Sequence, residues 1–167
     1  MVVVAVIAIL AVVVVPSWMK QASQAKGTSE VTALFNEIAS KEQRYYSDNN
    51  AYVDTTGTPC PGSPSSSQQD ASCFLASPWS TLSIAPPESA KVSGSYVPVA
   101  RCSYKVKTGL STANPNTGLP SPFTLPTSPA TSWYWIYAKC DMDGNGTYSQ
   151  YLQSSLDSTI QKDKEGE

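Results

Sequence analysis

The stretch Ser29–Tyr46, "SEVTALFNEIASKEQRYY", decides the fold, because its apolar residues return with the period of an α-helix. Spacings of three, four and seven residues predict a helix with one buried face. This packing stripe consists of Val31, Leu34, Phe35 and Ile38. Glu42 falls on the same line, and the opposite face is expected to carry Glu30, Glu37, Lys41 and Arg44. We therefore predict that the stripe packs against the rest of the chain.

The chain begins with a second apolar pattern, "MVVVAVIAILAVVVVPSWMK", in which the first charge is Lys20. Fifteen apolar residues span about 22 Å as a helix, less than the roughly 30 Å hydrocarbon core of a bilayer. Counting on through Trp18 and Met19 nearly reaches that length, and a membrane helix tolerates Pro16. We predict one continuous helix, with a hydrophobic half over 1–19 and an amphipathic half over 20–52.

A cleaved signal peptide is the main alternative for the apolar block. Its length suits the hydrophobic core of such a peptide, and Ser23-Gln24-Ala25 offers a cleavage site with small residues. Positive charges are missing ahead of the block, however, and the site lies far beyond its end. The sequence therefore favours an uncleaved helix.

Composition restricts the class of function. The chain has 167 residues, a formal charge of −2 and no histidine, with lysine and arginine scattered along its length. One domain is expected at this length, and the charge pattern gives no reason to predict nucleic-acid binding. The lack of histidine removes the commonest catalytic base and metal ligand. We predict no catalytic residues and no enzymatic activity.

Four cysteines, Cys60, Cys73, Cys102 and Cys140, lack the spacing of a zinc site. An even number after an export-like segment favours two disulfides, with reduced cysteines in a cytosolic protein as the alternative. Three connectivities are open. We favour Cys60–Cys73, which would close a short loop, and Cys102–Cys140, which would join two strands.

Several elements of the first third of the chain follow one another in a characteristic order. They are Pro16 after the apolar run, Ala25-Lys26, Ser29-Glu30, Leu34, Ile38, Tyr46 and Asn49-Asn50-Ala51-Tyr52. In this order the stretch resembles the N-terminal helix of type IV pilins and type II secretion pseudopilins. The resemblance implies a filament subunit, major or minor, held in the inner membrane before assembly and then displayed on the cell surface. It also implies a disulfide-closed C-terminal region, and other pilin subunits as partners.

The processing motif of that family, a basic leader with Gly followed by Phe-Thr-Leu-x-Glu, does not precede the apolar run. We expect the natural chain to begin upstream of Met1 and to carry this motif, through a misassigned start codon or a shortened sequence. A chain that natively lacks the leader is the third explanation, and it would forbid prepilin cleavage.

The remainder, 53–167, is expected to form a loop-rich β domain. Proline and glycine break up residues 55–87 and predict loop with short turns at most. Strands are predicted at "CSYKVK", "TSWYWIYAKC" and "TYSQYLQSS", whereas the charged tail "QKDKEGE" is expected to fray. The predicted fold class is α+β, a long N-terminal α-helix packed on a small antiparallel β-sheet of three or four strands, as in pilins.

The stretch "CDMDGNGTY" carries the only motif with possible metal chemistry. Asp141, Asp143 and Asn145 stand at the first three ligand positions of a calcium loop. Position twelve is Leu152 rather than glutamate, so an EF-hand is rejected, and a Ca²⁺ site completed near Thr147 or by Asp157 is the candidate. A simple acidic turn between two strands is the competing interpretation.

Two further functions compete with a pilus subunit. A type II secretion pseudopilin would share the helix. A membrane-anchored or secreted calcium-dependent binding module would use the aromatic cluster Trp133, Tyr134, Trp135 and Tyr137 to contact its ligand. Aromatic residues at strand spacing are more often core than binding surface, so the sequence favours the filament subunit.

Overall fold

One long helix opens the structure. The computed structural model describes residues 2–86, 88–92 and 94–164, with side chains for 22, 24–86, 88–91 and 94–164. Helix α1, Val2–Asn49, has 48 residues, which corresponds to a length of about 72 Å. It ends where Asn50 adopts φ 53°, and the Asn50 amide donates to the Tyr46 carbonyl at 2.8 Å. Asparagine tolerates this left-handed conformation, which stops the helix.

The rest of the chain forms two antiparallel sheets. The first has the strand order β1-β3-β2, with β1 Gln69–Asp70, β2 Glu88–Val92 and β3 Ser95–Ala100. The second is a meander in the order β4-β5-β6-β7, with β4 Ser103–Gly109, β5 Trp133–Cys140, β6 Ser149–Ser154 and β7 Gln161–Asp163. A 3-10 helix, Ser72–Leu75, and a short helix α2, Trp79–Leu82, follow β1.

The predicted fold class, a long helix on one small sheet, is therefore wrong. The described chain is β-rich, with seven strands divided between two sheets. The sheet of β1, β2 and β3 was missed because Pro98 interrupts its longest strand and β1 has only two residues. The tail was predicted to fray, yet β7 pairs with β6 through Tyr151 and Lys162.

The four-stranded sheet is covered on both faces. Its inner face packs with the stripe of α1 in one apolar cluster, to which the sheet contributes Tyr104, Val106, Tyr134, Ile136, Ala138 and Tyr151. Its outer face lies beneath the loop between β4 and β5, residues 110–132. That second cluster contains Phe123, Leu125, Trp133, Trp135, Tyr137 and Leu152. The sheet is thus the middle layer of three.

The apolar half of the predicted helix, 1–19, lies outside the residues whose side chains are described. Among the residues whose side chains are described, no helix has both the length and the apolar character needed to cross a bilayer. The membrane segment over 1–19 therefore stays a prediction.

Candidate functional site: the junction between α1 and the β domain

The packing stripe of α1 lies in the core. Val31 is 1 % exposed, and Leu34, Phe35 and Ile38 have no exposed surface. The Phe35 ring meets the Tyr104 ring edge-on, with their centroids 6.3 Å apart. A buried helix face of this kind contributes roughly 1.5–3 kcal/mol of hydrophobic free energy for each large side chain.

Glu30 was predicted on the solvent side of α1, and this is wrong. Its carboxylate accepts both the Arg101 amide, at 3.0 Å to each oxygen, and the Cys102 amide at 2.9 Å. The Tyr104 hydroxyl donates a further bond at 3.0 Å. A carboxylate that is bonded in this way can be buried, because the hydrogen bonds offset much of the lost hydration.

Arg101 also places its guanidinium 3.7 Å from the Glu30 carboxylate. Burial nevertheless dominates and raises the pKa of Glu30, while the bonds from Cys102, Arg101 and Tyr104 act in the opposite direction. Glu30 therefore fastens α1 to the turn between β3 and β4 at considerable cost in desolvation.

Glu42 is the second buried carboxyl group of the helix. It has no exposed surface, and its Oε2 accepts the Val53 amide at 3.0 Å. Its Oε1 is buried and has no hydrogen-bond partner among the described residues. Burial raises the pKa of Glu42 to about 7, and the nearby Asp54 carboxylate adds to the rise.

The positions of these two carboxyl groups follow a simple rule of spacing. Glu30, Leu34, Ile38 and Glu42 recur every four residues and therefore lie along one ridge of the helix. The sequence contained this four-residue spacing, but of the two glutamates only Glu42 was predicted to lie on the apolar face. We call Glu30, Leu34, Ile38 and Glu42 the anchoring row, since the two carboxyl groups bond to the β domain at either end of the apolar contacts.

Aromatic rings close the end of the junction near Glu42. Tyr46 stacks on Tyr52 with their ring centroids 4.4 Å apart, and Tyr52 meets Tyr134 of β5 edge-on at 4.9 Å. These contacts bring the segment after α1 back onto the sheet.

The prediction of two disulfide bonds is confirmed, and the pairs are those that the sequence favoured. Cys60 is bonded to Cys73, and Cys102 is bonded to Cys140. Glu30 binds the backbone amides of Arg101 and Cys102, so the second disulfide and the Glu30 carboxylate hold the same turn. Its 38-residue separation gives a stabilisation of about 4 kcal/mol in the chain-entropy account.

The predicted calcium residues lie together in the turn between β5 and β6, where each serves the turn itself. Asp141 Oδ2 accepts the Gly146 amide at 3.2 Å, and Asp143 Oδ2 accepts the Asn145 side-chain amide at 2.8 Å. Asn145 Oδ1 in turn accepts the Thr147 amide at 2.6 Å. These bonds are typical of turns built by aspartate and asparagine.

Asp157 does not join this turn. It follows the far end of β6, about 17 Å along the strand from the end that Asp141 precedes. Within the part of the chain that the structure describes, no three acidic, cysteine or histidine side chains gather as metal ligands. Calcium binding by Asp141, Asp143 and Asn145 stays a prediction.

The aromatic cluster of β5 is core rather than an open binding surface. Trp133 and Trp135 donate their indole N–H groups to the carbonyls of Ala113 and Pro115 in the overlying loop, at 3.0 and 3.1 Å. Trp133, Tyr134, Trp135 and Tyr137 are all at most 8 % exposed. A ligand could reach the Trp133 and Trp135 rings only after the loop moved away.

Comparison with known proteins gives no relative for this chain. Neither protein-family models, nor curated proteins, nor solved structures produced a match.

Proposed function

We propose that this chain is a structural subunit of a type IV pilus-like filament, held in the inner membrane by its N-terminal helix before assembly. The observation that carries the proposal is the continuity of α1 from Val2 to Asn49. The same helix contains an apolar block and, further along, the anchoring row that fixes it to the β domain. A segment that is apolar on all sides requires lipid or other apolar helices around it.

The contacts at the junction support this role, because they suit transmission of force. Apolar packing and two buried carboxyl groups attach the helix to the domain, and the Cys102–Cys140 disulfide holds the turn that Glu30 binds. A subunit that is pulled from a membrane through its helix needs this kind of attachment. Two disulfides also suit an oxidising compartment outside the cytoplasm.

The proposed mechanism is assembly rather than catalysis. In the membrane, lipid surrounds the apolar block. During assembly, the blocks of neighbouring subunits replace lipid with each other, and close packing between helices supplies the attraction. The β domains then face outward. The ordered motifs from Pro16 to Tyr52 support the same assignment by their resemblance to pilins.

A helix-block variant tests the proposal in the native host. Val12→Lys places a charge within the apolar block, whereas Asn36→Lys adds the same charge on the exposed face of the anchored half. After surface shearing, immunoblots and electron microscopy are expected to find wild type and Asn36→Lys in filaments, and Val12→Lys in none. The proposal fails if wild type is recovered only as a free monomer, or if Val12→Lys assembles equally well.

A further inference from the structure

A small cleft opens on the outer face of the four-stranded sheet, beside Pro120 of the covering loop. It has a volume of about 200 Å³ and is lined by Pro59, Gly62, Ser103, Lys105, Pro120, Tyr137 and Lys139. We call it the lysine cleft. The strand register brings four of these side chains together, since Ser103 of β4 lies opposite Lys139 of β5, and Lys105 lies opposite Tyr137.

The cleft holds two positive charges that no carboxylate of the described residues neutralises by an ion pair. Among the described residues, neither Lys105 nor Lys139 has a carboxylate within ion-pair distance. The ion pairs of the described chain involve Lys41 and Arg101, which lie outside the cleft. Asp163 is the acidic residue next to this face, where it accepts a bond from Gln150. Burial and the charges of Lys139 and Lys107 lower the pKa of Lys105.

Aromatic rings hold the two ammonium groups in place. Lys105 Nζ lies 5.0 Å from the centre of the Tyr137 ring and 5.6 Å from that of Trp135. Lys139 Nζ lies 4.9 Å from the centre of the Tyr148 ring. Such cation–π contacts orient an ammonium group without cancelling its charge, so both lysines can still attract an anion.

The walls of the cleft are fixed by covalent bonds. Pro59 precedes Cys60, Ser103 follows Cys102, and Lys139 precedes Cys140, so both disulfides adjoin the lining. Tyr137 is held by its hydroxyl, which donates to Gln150 Oε1 at 2.6 Å. A site that is formed before binding loses little entropy when a ligand enters.

We propose that the lysine cleft binds a small oxyanion group, a carboxylate, sulfate or phosphate, between Lys105 and Lys139. Its volume lies below the range of about 300–1,000 Å³ that is usual for drug-sized ligands, which favours one compact group over a large molecule. The group can come from a free inorganic anion or from an acidic sugar. This inference is independent of the filament role.

The test is an NMR titration of the full ¹⁵N-labelled chain in neutral detergent, at constant ionic strength, with sulfate, phosphate and D-glucuronate. D-Glucose is the uncharged reference. We expect saturable shifts at the Gly62, Ser103 and Lys139 amides with at least one anion. Tighter binding of glucuronate assigns the cleft to an acidic sugar, and tighter binding of sulfate or phosphate assigns it to a free anion.

Charge variants identify the site. Lys105→Gln and Lys139→Gln are each expected to weaken binding about tenfold, since each removes a charge-assisted contact. Lys107→Gln is the matched control, because Lys107 lies on the same strand and face as Lys105 but outside the lining. We expect it to change binding by less than about twofold.

Three results would overturn the proposal: shifts that never saturate with any anion, equal shifts with glucose, or a loss in Lys107→Gln as large as in Lys105→Gln. Thermal melting of each variant verifies that it folds. Should Lys105→Gln fail to fold, Lys139→Gln decides alone.

Discussion

Glu42 combines full burial with one carboxyl oxygen that has no hydrogen-bond partner in the described chain. A protonated carboxyl group suits that site better than an ionised one, because the unbonded oxygen would otherwise hold part of a buried charge. The neutral form keeps the bond from the Val53 amide. Glu42 is therefore a residue through which pH acts on the junction.

We predict that the junction loses stability as pH rises. The pKa of Glu42 rises from an ordinary 4.5 to about 7 in the folded chain, so the folded state binds more protons between these values. Its contribution is complete below pH 4.5 and is lost as pH rises through 7, a change of about 3 kcal/mol. Urea unfolding between pH 4 and 8, with the disulfides intact, measures this dependence.

Glu42→Gln is the matched variant, since it keeps the shape and the acceptor for Val53 but cannot ionise. Burial also raises the pKa of Glu30, and the difference between wild type and variant isolates the Glu42 contribution. We expect that difference to shift in favour of the variant as pH rises. A difference that stays constant across the range would refute the assignment.

Glu30 accepts more bonds than any other carboxylate of the described chain, and its removal should be costly. Glu30→Ala leaves the Arg101 and Cys102 amides and the Tyr104 hydroxyl without their acceptor. We expect the free energy of unfolding to fall by about 3 kcal/mol. In Glu37→Ala, which breaks only the half-exposed pair with Lys41, the change should stay within about 0.5 kcal/mol. If urea unfolding showed the same loss of stability in Glu30→Ala and Glu37→Ala, the bonds of Glu30 would not be what holds the helix to the domain.

At the scale of elements, the end of β4 is fitted closely to β5. Gly109 lies opposite Trp133, and a methyl group at this glycine would stand 2.2 Å from the Trp133 ring. That ring is buried and bonded to Ala113, so it has little freedom to move aside. The strand requires a residue without a side chain here.

Gly109→Ala is predicted to destabilise the fold by about 2 kcal/mol, because the Trp133 ring must shift within a packed core. Gly57→Ala is the control, since a methyl group there has no neighbour within 4 Å. Denaturant unfolding followed by tryptophan fluorescence measures the stability of both variants. Gly109→Ala with the stability of Gly57→Ala would show that this contact does not constrain the strand.

Periodicity was sufficient for some elements and not for others. The stripe of α1 and strand β4 repeat their apolar residues regularly, and the sequence located them. It located β5 by its density of aromatic and β-branched residues, and β6 as the partner that follows a turn. Strand β3 was not predicted, because proline is unusual within a strand and Pro98 lies inside this one. The Pro98 carbonyl accepts the Ala71 amide just beyond β1, and in an antiparallel ladder a residue's N and C=O face the same neighbour. The N–H that Pro98 lacks would therefore point toward Ala71, at a position where β1 has already ended.

The candidate site was only partly predictable for a related reason. Local spacing placed the apolar stripe, but Glu30 acquires its partners from residues more than seventy positions away. No local pattern shows that two backbone amides and a hydroxyl will meet one carboxylate. The lysine cleft likewise depends on strand register and on both disulfides.

For the whole molecule, the layers and the long helix suit different tasks. The four-stranded sheet lies between α1 and the covering loop, and two disulfides hold the β domain. The anchoring row joins this domain to a helix that begins in an apolar block. A subunit that assembles through its helix and displays its domain requires both parts.

The most direct test of the proposed filament role is the N-terminus of the native protein, determined by intact mass and peptide sequencing from membrane and sheared-surface fractions. For a pilin-like subunit we expect the same start in both fractions, a few residues before Met1, at an N-methylated phenylalanine with a glutamate soon after. A native start near Lys26 would make the apolar block a signal peptide and contradict the assignment as a filament subunit.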